Sequence, residues 1–290
     1  EQLFIASTHD YMLFFTNKGK VYRQKVHQIP LGSRQAKGAP VVNLLPIEDD
    51  EKVATVINTR DFPADEYLLF ATAHGMIKKT AFDAYKNVRS NGLIAINLKD
   101  GDELISVQFT TGENELMIAS SDGKCIRFHE SGVRAMGRDT AGVKAMQLAE
   151  GDKLVVMLVV DESKDILTVT SGGYGKRSSL EDYRLQGRAG KGIKAGVFNE
   201  ATGKLVNLKQ VTADDDIMII SDAGVIIRMH CSDISLIGRN TRGVRLMKLK
   251  EGSVATVAVT ERDDEAEAEV PEESAADVAE TVEEGSSDEE

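Results

Sequence analysis

Along most of the chain, apolar and polar residues alternate in short runs punctuated by glycine, aspartate and asparagine, which is the signature of strands rather than helices. Apolar runs such as "ELMIAS" (115–120) and "DIMIIS" (216–221) lead into a glycine-containing turn and then into mixed runs such as "KCIRF" and "VIIRM". Pairs such as His74-Gly75 and Asp122-Gly123 suit tight hairpin turns, because glycine accepts positive φ without steric cost. A third strand is expected in "VKAMQL" and "VRLMKL", and a fourth, after acidic turns such as "KDGD" and "AEGD", in "ELISVQF" and "KLVVMLVV". Helical periodicity is almost absent; only "AFDAY" and "SLEDY" predict single turns.

Aligned on its glycines, the chain contains five copies of one unit. The first turn glycine falls at Gly19, Gly75, Gly123, Gly173 and Gly224, and a second at Gly38, Gly92, Gly142, Gly192 and Gly243. Spacing within a unit is nearly constant while spacing between units varies, so a fixed supersecondary unit of about 50 residues is joined by adjustable loops. Four short strands in such a unit predict an all-β, propeller-like disc over residues 1–260, because a lone four-stranded sheet leaves faces exposed that neighbouring blades cover. Met117, Met146, Met157, Met218 and Met247 fall within these strands and read as core filler.

Charge follows the same repeat. Of a formal net charge of -12, residues 261–290 carry 15 acidic side chains and one basic one, leaving residues 1–260 at +2. Four residues after each first glycine stands a cation: Arg23, Lys79, Arg127, Arg177 and Arg228. Four before the second stands an arginine, at Arg34, Arg138, Arg188 and Arg239, with Arg89 three before in the shorter second copy. Lys37, Lys191, Arg242, Lys144, Lys194 and Arg245 crowd the same turns. Val21, Ile77, Cys125 and Ile226 lie two residues before the first set and share its strand face. Burying a charge on that face is costly, so the strand is expected to have reached the blade edge, with the cations ringing the outer rim. Solubility alone does not require the same charge at the same place in every copy. With aromatic residues at 5% and no tryptophan, the stripe suits duplex phosphates better than stacked single strands.

Four segments carry a family likeness: "KGKVYRQKVHQIP", "GAPVVNLLPIEDDEKVATV", "ESGVRAMGRDTAGVKAMQL" and "SDISLIGRNTRGVRLMKL". Together they closely resemble the C-terminal domain of bacterial DNA gyrase A, in unbroken order over residues 1 to about 260. The resemblance implies a six-bladed β-pinwheel whose blades exchange strands and whose basic rim wraps duplex DNA. In the family the wrap presents a positive crossing, so that strand passage by the type II topoisomerase introduces negative supercoils at the expense of ATP. It also implies the remainder of gyrase A, together with gyrase B, as partners in the holoenzyme, with cleavage, ATP and Mg chemistry on other domains and no cofactor in this chain. The corresponding protein of topoisomerase IV has a similar but more degenerate disc, and the regular repeats here favour gyrase. The family heptapeptide Gln-Arg-Arg-Gly-Gly-Lys-Gly does not occur. Its nearest string, "QGRAGKG" (186–192), occupies an ordinary second-glycine site, so the first blade is expected to be incomplete.

No catalytic constellation emerges. "SGGYGKRSS" (171–179) lacks phosphate-loop spacing and falls on a hairpin turn, and His9, His27, His74, His129 and His230 are scattered without metal spacing. Each histidine is expected at the surface or in a turn. Cys125 and Cys231 form neither a disulfide framework nor a zinc site, so a cytoplasmic, monomeric domain without membrane contact is expected. Residues 261–290 lack the apolar surface to offset ordering entropy and read as a disordered acidic tail able to compete with DNA for the rim. Two alternatives remain: a propeller whose basic rim binds acidic proteins and, more distantly, a hydrolase on the same scaffold.

Overall fold

The computed structural model describes residues 5–33, 35–36 and 38–262. Each copy contributes a hairpin followed by further strands. The first holds β1 (Tyr11–Thr16), β2 (Lys20–Lys25) and β3 (Val53–Thr59), and the second β4 (Tyr67–Thr72), β5 (Met76–Ala81), β6 (Leu93–Ile94) and β7 (Leu104–Thr110). The third holds β8 (Glu115–Ser120), β9 (Lys124–His129), β10 (Val143–Lys144) and β11 (Leu154–Val159), and the fourth β12 (Asp165–Thr170), β13 (Tyr174–Ser178), β14 (Ile193–Lys194) and β15 (Leu205–Val211). The fifth holds β16 (Asp215–Ser221), β17 (Ile226–His230), β18 (Val244–Arg245) and β19 (Val254–Glu261), the last running one residue past the expected domain boundary. The remaining tail residues lie outside the described ones. "AFDAY" and "SLEDY" form single 3-10 turns, Phe82–Tyr85 and Leu180–Asp182. Among the described residues no helix is long and apolar enough to cross a membrane.

The sheets are not built copy by copy. Their orders are β3-β1-β2-β6, β7-β4-β5-β10, β11-β8-β9-β14 and β15-β12-β13-β18, so each two-residue outer strand is donated by the following copy. The fifth sheet, β19-β16-β17, has three strands among the described residues, with no donated fourth. Five blades are therefore present among the described residues, where the family resemblance implies six. The first copy differs as well. Its segment after Gly38 forms a 3-10 turn, Val41–Asn43, and packs Leu45 with Phe14 and Tyr22 of its own blade.

Strand alternation explains the packing. Leu68 and Phe70 face the first blade with Leu13, Phe15 and Val21, while Leu69, Ala71 and Ile77 face the third with Leu116, Ile118 and Ile126. The same interdigitation continues through Met117 and Ile166, then Val169 and Ile219. Strands β3, β7, β11, β15 and β19 pack on one another in series as the inner strands of the disc. Four of the five methionines are buried as expected, although Met146 and Met247 lie just past the two-residue strands β10 and β18 rather than within a strand; Met218 is half-buried. The second glycines are required where an outer strand crosses its host. At Gly142 (φ +82°) a Cβ would lie 2.4 Å from the Ile77 carbonyl oxygen, and at Gly192 the Cys125 carbonyl would be equally close. The acidic turns brace the hairpins: Asp102 accepts from Thr72 Oγ1 (2.6 Å) and the His74 amide (2.8 Å), and Asp152 accepts from Ser121 Oγ (2.8 Å).

Candidate nucleic-acid interface

Three of the five cations of the first set are withdrawn from the rim, while Arg23 is half-buried and Arg228 is exposed. Lys79 and Arg177 are buried at 7% and 8% exposure, and only 13% of the Arg127 side chain is exposed. Each is spent on the copy that follows. Arg23 donates to the Lys86 carbonyl, Lys79 to Glu130 O (3.3 Å), Arg127 to Leu180 O and Tyr183 O (both 3.4 Å), and Arg177 to Ile234 O (3.0 Å). Carboxylates complete these sites, with Glu130 3.6 Å from Lys79, Glu115 2.5 Å from Arg127 and Asp165 3.2 Å from Arg177. Although Ile226 is 54% exposed in the last copy, the face assigned from strand phase is correct in the other three, where Val21, Ile77 and Cys125 are buried. The expected location at the edge is not. The strand continues under the next copy, whose carbonyls replace water around the charge. Arg228, in the last copy, pairs instead with Asp216 (2.7 Å) and donates to Glu261 O (3.3 Å).

The second set joins neighbouring copies along the outer strands. Arg138 Nη1 donates to Ile94 O (2.9 Å), Arg188 Nη1 to Lys144 O (2.5 Å) and Arg239 Nη1 to Lys194 O (2.8 Å). All three side chains are half-buried, so each arginine staples the outer strand of the preceding copy while remaining near the surface. Arg89 is exposed without such a contact, and Arg34 and Lys37 lie outside the described residues.

Besides Arg89 and Arg228, the exposed cations of the recurring positions are those of the outer strands and their turns: Lys144, Lys191, Lys194, Arg242 and Arg245. Ladder register sets Ile94 opposite Lys20, Lys144 opposite Met76, Lys194 opposite Lys124 and Arg245 opposite Tyr174, so every four-stranded blade presents at least one cation at this paired position. The staples connect these positions. Arg188 sits on the Lys144 backbone and Arg239 on the Lys194 backbone, which brings rim charges of successive blades into one track. Arg134 and Arg184 are also exposed, each eight residues before a second glycine. The glycine alignment could have found them, but they recur in only two copies.

Two functional lysines escape sequence reasoning altogether. Lys78 and Lys176 are 0% and 1% exposed, on a strand position that carries Tyr22, Ile126 and Ile227 in the other copies. Both ammonium groups enter the second-glycine turn of the next copy, and that of Lys78 also reaches the Ala95 carbonyl just past the outer strand of its own copy. Lys78 donates to Ala95 O and Arg138 O (both 2.5 Å), and Lys176 to Gly238 O (3.1 Å), Thr241 O (3.0 Å) and Thr241 Oγ1 (3.2 Å). Burial, reinforced by Arg138, lowers Lys78 to about 7; burial and Arg239, opposed by Asp182, lower Lys176 to about 8. The available signal was a cation where other copies place an apolar residue.

"SGGYGKRSS" lies on the β12–β13 hairpin, with Tyr174 half-buried at the rim, whereas Tyr183 is fully buried. His9, His27 and His74 are exposed, but His230 is half-buried with Nδ1 2.5 Å from Asp216 Oδ1, a contact the sequence pattern does not foreshadow. Cys125 and Cys231 are buried free thiols, pushed up to about 12 and about 11 by burial. Among the described residues no group of three or more His, Cys, Asp or Glu side chains could hold a metal ion.

Comparison with known proteins follows the blade boundaries. The family described as DNA gyrase C-terminal domain, β-propeller, matches residues 10–60, 66–111, 114–161, 164–212 and 215–261, one match per blade. The DNA gyrase A protein of Halalkalibacterium halodurans is 57% identical over 266 residues, 91% of this chain and 32% of that protein, so the chain spans about a third of this relative. Among solved structures, the C-terminal domain of DNA topoisomerase IV is 31% identical with a TM-score of 0.82, over 88% of this chain and 80% of that one. The DNA gyrase A C-terminal domain is 29% identical with a TM-score of 0.76, over 88% and 83%.

Proposed function

The chain belongs to the DNA gyrase C-terminal domain family, and from that premise we propose that it is the noncatalytic module on which a gyrase A protein wraps duplex DNA. The observation carrying this reading is the outer-strand track, in which Lys144, Lys194 and Arg245 recur exposed at one structural position and are linked by inter-copy arginine staples. Cations on a convex rim neutralise successive phosphates without reading bases, so affinity comes from counterion release and sequence preference from the ease of bending. The wrapped duplex presents a positive crossing to the cleavage core, and ATP-driven strand passage then yields negative supercoils. Catalytic residues, ATP and Mg belong to other parts of the holoenzyme, formed with the remainder of gyrase A and with gyrase B. A cytoplasmic setting, in keeping with two free buried thiols, and a monomeric isolated module complete the proposal.

The test is topological. Relaxed nicked circles are incubated with increasing amounts of the full chain, sealed by ligase, stripped of protein and resolved by two-dimensional electrophoresis. Wrapping yields a protein-dependent shift of linking number with positive sense. An unshifted distribution at saturating protein contradicts it.

A further inference from the structure

The rim is not uniform: the first blade sets Arg23 and Lys25 over Tyr11, with Arg23 tied to the Lys86 carbonyl, whereas the fourth blade sets two exposed arginines over one ring. At the start of β13, Tyr174 pairs across the ladder with Arg245 on the donated strand β18. Arg245 Nη2 donates to Tyr174 Oη at 2.8 Å, and its Cζ lies 5.2 Å from the ring centroid. The Arg242 Cζ lies 5.5 Å from the same centroid. Both arginines are exposed, and neither has a carboxylate partner among the described residues. Two like charges on one ring are thus held together with no anion to balance them.

We propose that Tyr174, Arg242 and Arg245 form a preorganised clamp for one phosphodiester group and are the strongest single anchor on the rim. This rests on the DNA-wrapping reading and deepens it. The ring quadrupole attracts both guanidinium groups and limits their rotamers, so less freedom is lost when their planar forks meet phosphate oxygens. The backbone beneath them is equally constrained. Lys176 ties down the turn through Gly238 O and Thr241 O, and Arg239 Nε fixes it to Asp182 O at 2.8 Å. Other copies lack the combination: the position of Tyr174 is held by Lys20, Met76, Lys124 and Val225, and that of Arg242 by Lys37, Asn91, Ala141 and Lys191. A lysine there offers the same charge on a freely rotating stem.

The clamp separates charge from positioning, and a salt titration reads them separately. Binding of a linear duplex to the full chain is followed by anisotropy across a series of KCl concentrations. Tyr174→Leu removes no cation, so it lowers affinity about fivefold at every salt concentration with the logarithmic slope unchanged. Tyr174→Phe keeps the ring and retains about half of the wild-type affinity. Arg245→Lys keeps the charge and the slope but loses affinity as Tyr174→Leu does, whereas the double variant Arg242→Ala/Arg245→Ala reduces the slope by about 0.9, the share of the one phosphate the two arginines hold. Thermal unfolding identifies any variant with a damaged blade, in which case Arg245→Lys decides. If wild type binds with a steep salt slope and both Tyr174→Leu and Arg245→Lys match it, the clamp is wrong and the wrapping reading stands. If wild type shows no salt-dependent duplex binding, the wrapping reading itself fails.

Discussion

The cation at position four after the hairpin glycine and the cation on the donated outer strand recur with the same period, yet they occupy opposite environments. Lys79, Arg127 and Arg177 are buried or nearly so, each donating to a carbonyl of the following copy and paired with a carboxylate, Glu130 of the following copy for Lys79 and Glu115 or Asp165 of its own copy for the other two. Lys144, Lys194 and Arg245 are exposed at the disc edge. Periodic charge in a repeat protein therefore has two distinct causes. One is an external polyanion following the repeat; the other is the repeat contacting itself, since each copy must recognise the next. Burial separates the two where sequence spacing does not.

The largest effect should come from cutting a buried latch. Lys79→Ala leaves the buried Glu130 carboxylate without its cation and should cost about 3 kcal/mol, read as a lower denaturation midpoint. Lys144→Ala, by contrast, should stay within about 0.5 kcal/mol of wild type. Equal destabilisation by the two variants would erase the distinction between latch and rim.

A smaller, pH-dependent effect marks the caged lysines between these two classes. Their folded values, about 7 for Lys78 and about 8 for Lys176, lie below the ordinary lysine value, so between these values and about 10 the unfolded chain binds more protons. The stability deficit from burying these charges is thus complete below about pH 7 and is relieved as pH rises toward 10. Wild type should gain stability on moving from neutral to alkaline pH, and the Lys78→Met/Lys176→Met double variant should show less of that gain by denaturant titration. An identical pH profile would remove these lysines from the account.

The smallest effect concerns thiol access. Cys125 lies beneath the donated strand, opposite Ile193, and both thiols are buried with raised values, so an aromatic disulfide reagent should label neither in the folded protein. Arg127→Ala, which loosens the attachment of the fourth copy to the third, should speed labelling of Cys125 modestly. Lys194→Ala should leave it unchanged.

Much of the fold was legible because glycine makes turns obligatory: Gly75, Gly123 and Gly173 all adopt positive φ at the expected hairpins. Strand exchange was not legible from the residues themselves and entered only through the family resemblance. Donated strands such as Leu93–Ile94 and Ile193–Lys194 are two residues long, too short to carry a period. Of the interface, sequence spacing located the outer-strand cations but grouped them with the latches. A lysine beside an apolar position reads as leaving the core unless the carbonyls that receive it are known, and those of Glu130 and Ile234 are 51 and 57 residues away from Lys79 and Arg177. Lys78 and Lys176 were missed for the same long-range reason.

The central claim is that rim cations, and not the equally periodic latches, meet DNA. The most direct measurement compares duplex binding of wild type, Lys144→Ala/Lys194→Ala/Arg245→Ala and Lys79→Ala across one salt series. With Lys144, Lys191 and Lys194 each on one phosphate and Arg242 and Arg245 sharing another, wild type should show a logarithmic slope of about -3.6, the rim variant about -1.8, and the latch variant the wild-type value. A rim variant that keeps the full slope, or a folded latch variant that loses it, would contradict the account.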